Sequence, residues 1–218
     1  MVNELSPPSP ERELALSYAP VEARAAMGVL LALDDRLGGI VRVTREPMVG
    51  QMRLTWWFEA LERLDREPPP AEPVLRAVAG EVLPRGVTGA ALAGMVDGWE
   101  AILGEEPLDE DALRAFAAGR GARLFEAMAT VCGSDDRQAS AAGEGWALAD
   151  LAANLSRPED AARARAMAAE RLGEATRARW SREGRGLGAL ALMARFELED
   201  GGGVAKLGRL VWHRMTGR

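Results

Sequence analysis

Residues that favour extended chain are almost missing from this sequence. Isoleucine stands only at 40 and 102 and tyrosine only at 18, whereas alanine, leucine, arginine and glutamate fill nearly every segment. β-branched and aromatic side chains suit a pleated sheet, and the four common types here are strong helix formers, so the sequence predicts an all-α fold. With 218 residues, 48% of them hydrophobic and 28% charged, the chain has globular composition and room for a sizeable core. Breaks are short and no repeat recurs at a fixed period. One helical domain over residues 1–218 is therefore expected, with residues 1–12 as a flexible start.

Charge and rare residues exclude several functions. Lys and Arg number 27 against 33 Asp and Glu, a net −6, so no global field draws the chain to nucleic acid, and any basic site must be local. A single cysteine, Cys132, and a single histidine, His213, leave no disulfide framework, no Cys/His zinc site and no iron–sulfur ligand set. His213 also lies close to the carboxyl end, which disfavours a Ser–His–Asp or Cys–His mechanism. A metal could enter only through Asp and Glu, which means a hard ion such as Mg²⁺. The opening residues are polar and carry Pro7, Pro8 and Pro10, unlike a secretory signal, and the apolar run 27–33 is far shorter than the roughly 20 residues of a transmembrane helix. The expectation is a cytoplasmic protein without a transmembrane segment, with peripheral membrane contact left open.

Periodicity places the helices. Pro20, Glu22 and Arg24 look like a helix start, and residues 25–37 are apolar nearly all round, as in a central helix; Gly38-Gly39 should weaken or kink it. Pro47 suits a first helical turn, after which Met48, Met52, Leu54, Trp56, Trp57, Leu61 and Leu64 recur at helical steps up to the linker at 68–70. Further helices are expected over 73–82, 88–103, 109–131, 135–155, 158–172, 187–197 and 204–215. Asp109 is the N-cap candidate of its helix, with Ala112, Leu113, Phe116 and Ala117 as the apolar stripe.

Four stretches stop looking generic. Pro20, Glu22 and Arg24 lead into the apolar run 25–37; residues 42–61 read RVTREPMVGQMRLTWWFEAL; residues 116–127 read FAAGRGARLFEA; Gly143-Glu144 opens another helix. Over roughly residues 18–145 these resemble the squalene/phytoene synthase family. The strongest match is 42–61, which resembles the REP…G…RL.WW..AL signature of the family's small bacterial branch and of its relatives in respiratory complex I assembly. The resemblance implies a helical bundle of the isoprenoid synthase type. In active members it implies head-to-head condensation of prenyl diphosphates, with two Asp-x-x-x-Asp motifs on facing helices holding Mg²⁺ against the departing diphosphate. Four-residue spacing stacks the carboxylates on one helical face, where two can share an ion that neutralises the leaving group.

Carried over without gaps, the first motif falls on residues 38–42, with Gly38 at the first aspartate and Arg42 at the last. In the second, Ala147 takes the position of a glutamine, Asp150 that of an asparagine, Ala153 that of an arginine, and Asn154 and Pro158 those of the two aspartates. None of the four carboxylates is present, so the resemblance implies no catalytic residues and no metal ligands, with Mg²⁺ a cofactor only if the chain is an active transferase after all. The first reading of function is a non-catalytic relative that binds an apolar, prenyl-type ligand or acts as a protein assembly factor. The alternatives are an active farnesyl or geranylgeranyl diphosphate transferase, and a different enzyme using Asp34, Asp35 or Asp150 in a remodelled cavity.

Leu31, Asp35, Arg42, Arg53, Trp57 and Ala147 are the candidates for a ligand pocket. Asp34 and Asp35 read first as solvated or locally paired, second as polar pocket groups. Arg42, Arg45 and Arg53 are grouped and suit phosphate oxygens, but pairing with Asp34, Asp35, Glu46 or Glu59 on neighbouring turns is the preferred reading. Trp56 and Trp57 point about 100° apart on a helix, so one can fill the core while the other faces a cavity or partner. Cys132 reads as a small buried apolar residue, and His213 as a surface residue compatible with the helix dipole. The dense Glu and Arg of 157–185 normally mark a solvated helix face, although a partner-binding face there is equally compatible.

Overall fold

A computed structural model describes residues 9–44, 46–104, 107–199 and 203–218, with side chains of the last stretch from residue 206. Its helices are α1 (Pro10–Tyr18), α2 (Arg24–Val43), α3 (Pro47–Arg63), α4 (Pro73–Ala77), α5 (Gly89–Glu100), α6 (Glu110–Phe116), α7 (Arg123–Cys132), α8 (Ala139–Asn154), α9 (Pro158–Ala175), α10 (Arg185–Leu198) and α11 (Gly203–Thr216). No strand occurs among the described residues, and the fold is all-α as the sequence predicts. Buried apolar side chains form one cluster that runs from Ala15 on α1 to Leu210 on α11.

Local signals explain most helix ends. Asp109 caps α6 by accepting the Ala112 N–H at 2.7 Å, Thr88 caps α5 through Ala91 at 3.1 Å, and Pro47, Pro73 and Pro158 occupy first turns. The chain becomes helical earlier than the sequence suggests. Residues 1–8 lie outside the described residues, but α1 begins at Pro10 with Ser9 as its cap, so positions 10–12 are helix where a flexible start was expected.

Helix α2 is longer than its apolar run. It continues through Gly38-Gly39 to Val43. The two glycines differ in surroundings: a Cβ on Gly38 would lie 2.8 Å from the edge of the Trp99 ring, while one on Gly39 would meet nothing within 4 Å. Gly39→Ala should therefore stabilise the protein by about 0.5–1 kcal/mol through helix propensity, and Gly38→Ala should destabilise it by about 1–3 kcal/mol through overpacking. Opposite shifts of the urea midpoint for the two variants check this.

The apolar periodicity of α3 contains two faces. Leu54, Trp57 and Leu61 are buried, whereas Met48, Met52 and Trp56, at four-residue steps, are exposed on the outside. The tryptophan pair thus divides as expected, with Trp57 in the core. On α9 the stripe Ala161, Ala164, Ala168, Leu172 and Ala175 packs against α8, and the Glu and Arg residues lie outside it, Arg171 pairing with Glu144 at 2.8 Å.

His213 is not a surface residue. It is buried on α11 against Gly188, its Nε2–H donates to the Arg185 carbonyl at 3.0 Å, and its ring stacks 6.5 Å from Tyr18. Burial lowers its pKa below the ordinary histidine value, the hydrogen bond to the Arg185 carbonyl opposes this, and the Arg185 charge lowers it further. The folded protein keeps the ring neutral in a range where the unfolded chain, with an imidazole near 6.5, takes up a proton. Stability should hence fall as pH drops below about 6.5, with a slope of at most about 1.4 kcal/mol per pH unit for one proton, and level off below the folded-state pKa. Urea titrations of wild type and His213→Gln between pH 7.5 and 5 test this; the variant should lack that slope. Cys132, by contrast, is buried as expected, with its Sγ 3.4 Å from Met27 Sδ, and its thiol is pushed up to about 12 by burial, then by Glu22, against an opposing Arg85.

Candidate functional site

Residues 117–122 join α6 to α7 in the wider π-helical winding, a local irregularity that often marks a functional or packing site. Two glycine contacts hold this segment. Gly119 lies against Gly98 of α5, and Gly121 against Gly143 of α8. A Cβ on Gly98 would come 2.3 Å from the Arg120 backbone nitrogen, and one on Gly121 would come 2.2 Å from the Gly143 carbonyl oxygen. Only hydrogen fits at these crossings, and Arg120, between them, is pressed inward.

Arg120 is the largest fully buried side chain among the described residues, at 2% exposure. Its Nε and Nη2 donate to the two carboxylate oxygens of Asp34 on α2, each at 2.8 Å, and its Nη1 donates to Asp150 of α8 at 2.5 Å. Trp99 and Trp146 cover the guanidinium at 4.5 and 4.7 Å from their ring centres, with Phe116 at 5.5 Å. Burial by itself opposes the charge, but Asp34 and then Asp150 outweigh it by attraction and hydrogen bonding, and the net shift of the arginine pKa is upward. The cation is permanently charged, and it bridges α2 and α8 from within the core.

Beside this pair opens a cavity of about 430 Å³, whose walls include Arg42, Trp99, Asp150, Asn154, Arg157 and Asp160. Asp160 is buried, accepting the Leu108 N–H at 3.2 Å and pairing with Arg157 at 3.2 Å and Arg163 at 3.5 Å. Gly38 lies next to this cavity, beneath Trp99 and Arg42. Asn154 is the last residue of α8, its Nδ2 donating to the Asp150 carbonyl at 2.8 Å, and Pro158 is the first of α9. Positions 154 and 158 therefore do not share one helical face.

The ligand-pocket candidates do not form one pocket. Arg42 belongs to the cavity above, while Asp35, Arg53 and Trp57 line a more open groove of about 540 Å³ with Arg36, Val43 and Trp56. Leu31 and Ala147 are buried in the core and line neither. The expected pairings also change: Asp34 holds Arg120, Asp35 holds Arg12 at 2.5 Å, and Glu59 holds Arg63 at 3.3 Å. Among the described residues, neither Arg42 nor Arg53 forms an ion pair, and the two open into different cavities; Arg45 lies outside the described residues.

A model of the squalene/phytoene synthase family matches residues 5–185. The chain belongs to that family. No curated protein and no solved structure gives a significant match. For a squalene/phytoene synthase relative, the relevant question is whether these residues suit Mg²⁺. They do not: Gly38, Arg42, Asn154 and Pro158 offer no carboxylate, Asp34 and Asp150 are bridged by a guanidinium, and Asp160 is held by two arginines. Among the described residues no three His, Cys, Asp or Glu side chains converge as a metal site.

Glu197 is an exposed acid beside Arg12 and Trp146. Its carboxyl pKa is raised by partial desolvation, then by Glu11 and Asp150, against Lys206, and it lines a small space of about 280 Å³ with Arg12 and Trp146. Sequence reasoning missed it, as it missed Arg120, Trp99, Trp146 and Asp160. One signal for Arg120 was present: it continues the stripe of Phe116 by one helical turn, on the way to Leu124, and so stands at a position that periodicity marks as buried.

Proposed function

We propose that this chain is a non-catalytic squalene/phytoene synthase relative, a single helical unit acting in the cytoplasm as a protein-interaction or assembly factor. The observation that carries this reading is the Arg120 guanidinium between α2 and α8, with Asp34 and Asp150 committed to it. The cavity beside this ion pair is lined by the charged groups of Arg42, Arg120, Asp150, Arg157 and Asp160, a poor match for a long prenyl chain, which favours the interaction role over the lipid-carrier role. The outer face of α3 supports the same reading: Met48, Met52 and Trp56 are exposed in register beside the open groove, and methionine and tryptophan are residue types concentrated at protein interfaces.

Two measurements test it. Purified protein with farnesyl or geranylgeranyl diphosphate and Mg²⁺ should release no diphosphate even at high protein concentration; sustained Mg²⁺-dependent release overturns the proposal in favour of a transferase. Affinity capture from the native cell should return a reproducible partner that is lost with Met52→Glu combined with Trp56→Glu. Both side chains are exposed, so the double variant should melt like wild type.

A further inference from the structure

Helix α11 lies beyond the family match, and no part of the proposed function uses it. One side of it is fastened to the body. Leu210 and His213 are buried, the backbone N–H of Trp180 donates to the Gly217 carbonyl at 2.8 Å, and the Arg179 and Arg185 side chains donate to the carbonyls of Thr216 and Arg214 at 3.0 and 2.7 Å. The other side is apolar and faces outward: Leu207 is 62% exposed, Val211 50%, Trp212 58% and Met215 69%. Helical winding places Arg214 along one edge of this stripe and Arg209 along the other.

The charge of this segment is opposite to that of the molecule. Residues 203–218 contain Lys206, Arg209, Arg214 and Arg218 and no acid, whereas residues 1–202 carry 23 basic and 33 acidic side chains, a net −10. An apolar stripe edged by arginines, with a tryptophan on it, is the pattern that lies in the plane of a bilayer surface, where the rings and aliphatic side chains enter the acyl boundary and guanidinium groups meet lipid phosphates. At 14 residues the helix is only about 21 Å long, and no helix among the described residues is long and apolar enough to cross a membrane. We propose that α11 is an interfacial anchor that docks this protein on an anionic lipid surface, with Leu207, Val211, Trp212 and Met215 inserted and Arg209, Arg214 and Arg218 at headgroup level. This is independent of whether the chain is catalytic.

Flotation of the full-length protein with vesicles tests the assignment. It should float with mixed phosphatidylcholine and phosphatidylglycerol vesicles, much less with phosphatidylcholine alone, and binding should weaken as salt is raised. Leu207→Asp with Val211→Asp should abolish flotation while leaving the thermal melt unchanged, because both side chains are exposed. Arg209→Gln with Arg218→Gln should weaken binding about 30-fold, two charges at about 1 kcal/mol each. Failure to float with anionic vesicles, or unchanged flotation of the Leu207→Asp, Val211→Asp protein, overturns the proposal. So does a dimer that buries Trp212 in solution without vesicle binding, since the stripe would then serve a second copy of the chain.

Discussion

Asp34→Ala should cost about 3–5 kcal/mol of folding free energy and lower the melting temperature by about 10 °C or more. The substitution leaves Arg120 charged, almost wholly removed from water, and without the carboxylate that accepts two of its hydrogen bonds. Asp150 remains, but its side chain is half-exposed and meets only one guanidinium nitrogen. Breaking such a pair from one side is far more damaging than replacing both partners, because the surviving charge keeps its desolvation cost. Asp34→Leu combined with Arg120→Met should accordingly recover most of the loss, with the methionine side chain packing on the faces of Trp99 and Trp146. Urea denaturation followed by far-UV circular dichroism measures both. A loss under about 1 kcal/mol for Asp34→Ala would mean that water from the neighbouring cavity solvates Arg120.

Gly121→Ala should be nearly as severe, about 3 kcal/mol or more, at the upper end of what overpacking usually costs. The added methyl would meet the carbonyl of Gly143, which is backbone and cannot rotate away. The π-helical segment and α8 must separate, and that separation moves Arg120 relative to Asp150. Because Trp99 and Trp146 cover the guanidinium, near-UV circular dichroism should lose part of its tryptophan signal along with the urea midpoint. A midpoint within about 0.5 kcal/mol of wild type would show that the close crossing is dispensable.

These two substitutions mark where reading by periodicity stops. Helix positions were largely legible because they rest on local causes: propensity, a proline in the first turn, a carboxylate cap such as Asp109. The surroundings of Gly38-Gly39 have a non-local cause that periodicity does not carry: helix α2 runs through both residues, and the Trp99 ring lies against Gly38. The motif positions were partly legible as a site. Arg42, Asp150 and Asn154 do open on one cavity, while Asp35, Arg53 and Trp57 belong to another and Leu31 and Ala147 to the core. His213 was misplaced because a histidine near the end of a helix is compatible with either face, and only the contact with Gly188 and the Arg185 carbonyl selects the buried one.

Sequence alone determined that the chain is helical, where most helices begin and to which family it belongs. Only the tertiary structure decided which charged groups meet in the interior. Asp34 and Arg120 are 86 positions apart, and a helical pattern specifies which face of each segment is buried but not which buried groups meet. That choice depends on how closely helices can approach. It is set here by the contacts of Gly98 with Gly119 and of Gly121 with Gly143, which bring backbones together at distances where any side chain would collide.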